Sequence, residues 1–254
     1  IKKQILVIAL VLMFAVNISS HVNAEQIVKL STINWEPYTG KELPNHGFFS
    51  ELVTESFARA GYRVEYYYRP WARALKEAKE GKVDGVMDAY WKKDRTEFLS
   101  YPDVVWKVKE EFIALRENSI SYDGTPISLK GYEIGVLNKS VQAEEIKSAG
   151  IKTQPVSDQF LNVKKLLAGR IDAMVIPRGI FFYHLERIDP QFGRSSIKIL
   201  KPPFKIYDMY VAFSKRKPGY EKLTADFNRG LKFIKADGTY EKILRESGEY
   251  EDSY

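Results

Sequence analysis

The sequence predicts an α/β fold of two similar units, each a mostly parallel sheet flanked by helices. Three observations carry this expectation. The stretch from Trp71 to Arg95, WARALKEAKEGKVDGVMDAYWKKDR, reads as a helix, a glycine stop, a buried strand and a polar loop. The same logic returns in NVKKLLAGRIDAMVIPRG, where Gly169, Arg170, Ile171, Asp172 and Ala173 stand against Gly81, Lys82, Val83, Asp84 and Gly85. The elements of the first half also follow the order strand, loop, helix, strand, helix, strand, which favours a parallel sheet with right-handed crossovers.

The chain opens with a segment of another kind. Lys2 and Lys3 precede an apolar run from Ile5 to Val16, and Val22-Asn23-Ala24 follows. This pattern predicts a secretory leader over residues 1–24, cleaved so that the mature chain starts at Glu25. The run is short for a membrane span. The sequence has no cysteine, so disulfides, thiolate metal sites, cysteine nucleophiles and a lipoprotein anchor are not expected. The formal charge of +6 includes Lys2 and Lys3, leaving +4 on the mature chain, with lysine and glutamate intermixed. No basic stripe with interleaved aromatics appears, and no nucleic-acid partner is expected.

In the first half, Ile27–Ile33 alternates as a strand, and Asn34 to Gly40 breaks it as a loop. Phe48, Phe49, Leu52, Val53, Phe57 and Ala60 form the apolar face of a helix that Gly61 closes. RVEYYY (63–68) is strand-like, and Pro70 precedes a helix whose face is Trp71, Ala74, Leu75 and Ala78. Val83 to Met87 reads as a strand covered on both faces. Ligands of open α/β sheets bind beyond the carboxyl ends of the strands. Those ends present Trp35, Trp71 and the loop that carries Asp88, Tyr90, Trp91 and Arg95.

In the second half, Phe112–Leu115 and Tyr132–Leu137 are strands, and Phe160, Val163, Leu166 and Leu167 mark a helix. The turn Asn138-Lys139-Ser140 before a helix is a natural anion site. Pro177-Arg178-Gly179 is the counterpart of the Asp88 loop. Tyr207–Ser214 carries the chain back, and helices over Tyr220–Lys235 and Thr239–Glu246 finish it, so no fused catalytic or sensor domain is expected. Of three histidines, His184 in FFYHL reads as packed rather than catalytic. No HExxH, GxSxG, Walker or dinucleotide motif occurs, and no carboxylate spacing demands acid–base chemistry.

Six segments, in order, resemble one family. GFFSELV, the PW before a helix, GKVDGVMDAYWKKDR with FLSYPDV, LKGYEIGVLNKS, LLAGRIDAMV and KADGTYEKIL are similar to motifs of the extracellular solute-binding proteins of family 3. The likeness runs from Glu25 to Glu246. It implies the two-lobed type II periplasmic-binding-protein fold, with residues 25–108 and 209–254 as the first lobe and 109–208 as the second. Hinge crossings are expected near Lys107–Glu111 and Ile206–Tyr210. It further implies a periplasmic, monomeric receptor without cofactor or metal. Such a receptor captures a small polar ligand, an amino acid or related compound, and delivers it to an ABC permease. The alternatives are an orphan ligand sensor and a small periplasmic dehydratase on the same fold.

The resemblance assigns site residues by position. Arg95 matches the arginine that clamps the ligand carboxylate, for which a planar fork is suited. Trp35 and Trp71 match aromatic walls, and Tyr90 and Trp91 are further aromatic candidates, with Glu36 weaker. Ser140 belongs to the anion-binding turn. Pro177 stands where amino-acid binders often carry the aspartate for the α-ammonium, and Arg178 follows it, expected to close over the ligand; the departure leaves open a more negatively charged ligand read by Arg178 and Lys139, or an ammonium taken over by Asp88. Asp88 is read as a partner for a ligand cation or as an internal partner of Arg95 or Arg73.

Overall fold

The computed structural model describes residues 26–249, so the expected leader lies outside the described residues. The first lobe begins with β1 (Gln26–Thr32), α1 (Phe48–Arg59), β2 (Tyr62–Tyr68), α2 (Trp71–Lys79), β3 (Gly85–Tyr90) and the short β4 (Leu99–Ser100). Strand β1 lies between β2 and β3 and is parallel to both. Helix α1 buries Phe48, Phe49, Leu52, Val53 and Phe57. Helix α2 buries Trp71, Ala74 and Ala78, and Leu75 is partly buried beside them. Gly81 follows α2 at φ 72, the left-handed residue that turns the chain out of a helix without a Cβ penalty.

The chain continues through β5 (Trp106–Leu115) into β6 (Glu133–Leu137), α3 (Val141–Ser148), β7 (Lys152–Val156), α4 (Gln159–Leu167), β8 (Ala173–Ile176), α5 (Arg178–Ile188) and β9 (Ile197–Ile199), the elements of the second lobe after β5. Strand β10 (Lys205–Ser214) returns to the first lobe, and α6 (Tyr220–Ala236) and α7 (Thr239–Ser247) complete the described chain. No described helix is long and apolar enough to cross a membrane.

The strand order is β2-β1-β3-β10-β5-β8-β6-β7. Strand β5 joins the two halves by changing partners. Trp106 to Glu110 pair antiparallel with Met209 to Lys205 of β10, whereas Glu111 to Ile113 pair with Ile176 to Met174 of β8. The exchange falls between two buried carboxylates, Glu110 and Glu111. Among the described strands, only β5 and β10 run between the two halves at this point.

The repeat has a structural reason. Asp84 accepts the Lys29 amide at 2.8 Å and Asp172 accepts the Glu133 amide at 2.7 Å. Their own amides return hydrogen bonds to the Lys29 and Glu133 carbonyls. Each aspartate thus locks the strand after a helix onto the strand that opened its lobe.

Two apolar clusters fill the described residues. One covers the first lobe and continues through Leu137, Val163, Met174, Ile176 and Phe181 of the second. The other fills the opposite face of the second sheet with Phe112, Ile134, Val136, Ala173 and Val175. Neighbours on β8 alternate between the clusters, as the period of a strand requires. Helix α6 crosses α1 at Gly230, where a Cβ would stand 1.8 Å from the Ser56 carbonyl oxygen.

Candidate functional site

Trp35, Trp71, Asp88, Tyr90, Arg95 and Ser140 line one cavity of about 20 Å³ between the lobes, closed by Leu137, Val141 and Gln142 of the second. That volume holds little more than one water. A wider cavity of about 240 Å³ shares Ile33, Trp35 and Leu137 with it and extends to Asn34, Tyr68, Arg69, Ser157, Asp158 and Gln159.

Arg95 stands on a short 3-10 turn, Lys93–Glu97, just beyond β3, and is 3% exposed. Burial pushes its pKa down, against the raising effect of Tyr101, Glu144 and Asp94. The guanidinium lies 5.4 Å from the Trp71 ring centroid and donates to the Lys139 carbonyl at 3.0 Å. The Trp71 indole donates to the same carbonyl at 3.0 Å. Lys139 adopts φ 61, which places that carbonyl at the tight turn before α3. Ser140 caps α3, its oxygen accepting from the Ala143 amide at 3.1 Å. Two groups of the first lobe therefore meet one carbonyl of the second.

Asp88 owes its position to a bulge. Tyr210 pairs with Ala89 and Ala212 with Val86, so Met87 and Asp88 together oppose Val211, and Asp88 takes φ 58. Bulges re-aim side chains in this way. One carboxylate oxygen accepts from the Thr32 hydroxyl, and the other has no hydrogen-bond partner among the described residues. Burial pushes the Asp88 carboxyl up to about 7, with Thr32 and the Ile33 backbone pulling weakly the other way. Neither internal partner expected from sequence is realised. Arg95 donates to carbonyls, and Arg73 pairs with Glu77 at 2.9 Å.

Tyr90 stacks on Tyr207 with centroids 4.5 Å apart and meets Trp35 edge-on at 6.3 Å. Its hydroxyl donates to Glu110 at 2.8 Å, and Gln142 of α3 donates to the same oxygen at 2.6 Å. Glu110 thus ties both lobes to the crossover. Burial pushes its carboxyl up to about 8. Because this acid is harder to ionise folded than unfolded, its ionisation costs stability as pH rises from about 5 to about 8. Glu110→Gln keeps an acceptor for both donors. The stability gained by the variant is expected to grow across that window, with a slope approaching about 1.4 kcal/mol per pH unit. Urea unfolding of both proteins at pH 5, 6, 7 and 8 checks it; a pH-independent difference contradicts the assignment.

Two expected residues stand elsewhere. Trp91 is 52% exposed and borders an outer groove with Lys92, Glu144, Lys205 and Ile206. Successive side chains at a strand end point to opposite sides, so an inward Tyr90 sends Trp91 outward. Arg178 does not close over the Arg95 cavity. It opens α5 and forks onto Glu111 at 2.8 and 2.7 Å, beside Lys201 at 2.8 Å. Glu111 is buried, which opposes its ionisation, yet Arg178 and Lys201 hold its pKa below the ordinary range. A buried carboxylate needs such counterions, and Arg178 meets that need.

Glu110, Gln142, the Lys139 carbonyl, Tyr68 and Arg69 were not among the sequence-derived site residues. Tyr68 and Arg69 follow β2 at its carboxyl end, so the strand-end rule was a signal for them. His184 is buried between Phe160 and Tyr183 edges, and burial pushes its pKa down. No group of three or more metal-ligating side chains comes together among the described residues.

The chain is 27% identical over 256 residues to the lysine/arginine/ornithine-binding periplasmic protein of Escherichia coli (strain K12), covering 96% of each. Its fold is shared with an ancestral arginine-binding protein (TM-score 0.75, 22% identity, 87% of this chain and 98% of that one). It is also shared with a histidine kinase sensor domain that has similarity to periplasmic binding proteins (TM-score 0.77, 17% identity, 88% of this chain and 96% of that one). These likenesses bear out the type II periplasmic-binding-protein fold expected from the sequence. Residues 30–248 match the model of one family, and the chain belongs to it: the bacterial extracellular solute-binding proteins, family 3.

Proposed function

We propose that this protein is a monomeric periplasmic receptor that captures a small polar ligand, an amino acid or related compound, in the cleft between its lobes and delivers it to an ABC permease. The observation that carries the reading is the buried Arg95 fork, set against Trp71 and beside Trp35 in a cavity shared by both lobes. A buried, permanently charged fork is suited to a planar carboxylate. The name of the E. coli relative supports an amino-acid ligand. Residues 25–108 and 209–254 form the lobe that receives the ligand first, and residues 109–208 close over it by rotation about β5 and β10. Binding breaks the Arg95 and Trp71 bonds to Lys139 and re-forms them through the ligand. The protein returns the ligand unchanged.

Melting temperature in the presence of basic, acidic and neutral L-amino acids tests the reading. One class is expected to raise the melting temperature in a concentration-dependent way. Proton NMR of the same mixtures should show the amino acid intact after prolonged incubation. No shift with any class overturns the amino-acid reading, and conversion of the amino acid overturns the receptor reading.

A further inference from the structure

We propose that Asp88 receives the α-ammonium of the bound amino acid, so that the first lobe alone binds both charged poles of a zwitterion. This inference rests on the receptor reading above and specifies its ligand as an α-amino acid with a polar side chain.

The argument begins with position. Asp88 and Arg95 line the same cavity of about 20 Å³, and Asp88 is the only carboxylate among the described residues that line it. An α-carboxylate and its α-ammonium are separated by a single carbon, so a carboxylate held at Arg95 leaves its ammonium within the same small space. The Asp88 side chain is ready for it. The residue is 6% exposed, one oxygen is fixed by Thr32, and the other has no partner among the described residues. A buried polar atom left in that condition costs free energy unless something binds it. The left-handed backbone at φ 58 inside a bulge adds local strain of the kind found at ligand sites.

The second lobe offers no competing carboxylate at this cavity. It contributes Leu137, Ser140, Val141 and Gln142. The amino-acid side chain would extend into the adjoining cavity of about 240 Å³. Asn34, Tyr68, Arg69, Asp158 and Gln159 give that cavity polar walls.

The titration of Asp88 gives the assignment a readout of its own. Burial holds the carboxyl up to about 7, so an arriving ammonium binds the ionised form and displaces a proton below that pH. Glu110, bonded to Tyr90 and Gln142 of the same cavity, is itself pushed up to about 8, so the part of the pH dependence that belongs to Asp88 is the part that Asp88→Asn removes. Tyr66 and Tyr68 on β2 sense the Asp88 charge, the first pushed far up and the second to about 12. Tyr90 on β3 and Tyr210 on β10 are also raised, and Arg95 stays cationic.

Calorimetric titration of the wild-type protein and Asp88→Asn with L-arginine, L-lysine, L-glutamine and L-glutamate, and with their des-amino acids, tests the assignment. For at least one amino acid, wild-type affinity should fall about tenfold from pH 8 to pH 6. Asp88→Asn should bind it about 30-fold or more weakly, with most of that pH dependence removed. The des-amino acid should bind weakly and without regard to residue 88. A flat wild-type profile, or equal binding by the folded variant, overturns the Asp88 assignment and leaves the receptor standing. Binding of none of the four amino acids by the wild type overturns both.

Discussion

Replacing Arg95 by alanine is expected to weaken amino-acid binding by at least about 100-fold, equivalent to roughly 3 kcal/mol. The size follows from the setting. The guanidinium is almost wholly buried, stacked near Trp71, and free of any carboxylate partner among the described ion pairs. A ligand carboxylate would therefore meet a pre-desolvated fork. Arg95→Lys keeps the charge but loses the planar fork that presents two parallel donors and the stacking, so its affinity should lie between the wild type and Arg95→Ala. Calorimetric titration checks both variants. Unchanged affinity in a folded Arg95→Ala protein would remove Arg95 from the site.

The second large effect concerns the scaffold. Gly230→Ala places a methyl group 1.8 Å from the Ser56 carbonyl oxygen, a backbone atom that no rotamer change can clear. Helices α1 and α6 must separate, and with them Phe57 and Phe227, whose ring centroids stand 5.0 Å apart. Such overpacking costs about 3 kcal/mol, more than the helix propensity that alanine gains over glycine. The expected fall in melting temperature is roughly 6–12 °C. A melting temperature within about a degree of the wild type would contradict the tight crossing.

How much of this was legible in the sequence depended on how local each cause is. The α2 stripe of Trp71, Ala74 and Ala78 and its stop at Gly81 are set within one turn or two of chain, and both were readable. The repeat around Asp84 and Asp172 was visible as a pattern. Its reason was not, because each aspartate reaches an amide far away in sequence. The cavity around Arg95 was partly readable, since strand-end loops gather by a general rule of open sheets. Trp91 and Arg178 show the limit. Whether Trp91 faces inward depends on the register with which Tyr90 meets β10, and that register includes a bulge. Arg178 was drawn away by Glu111, and nothing near either residue in sequence announces that Glu111 is buried. Glu110 was missed for the same reason: its burial is produced jointly by Tyr90 and Gln142, one from each lobe.

Intrinsic tryptophan fluorescence during amino-acid titration tests the central claim most directly, because Trp35 and Trp71 both line the cavity with Arg95. The wild-type protein should give a saturable one-to-one change with at least one L-amino acid, and folded Arg95→Ala should give none at the same concentrations. Silence of the wild type across basic, acidic and neutral amino acids would contradict an amino-acid receptor, and an equal response from Arg95→Ala would move the site away from this cleft.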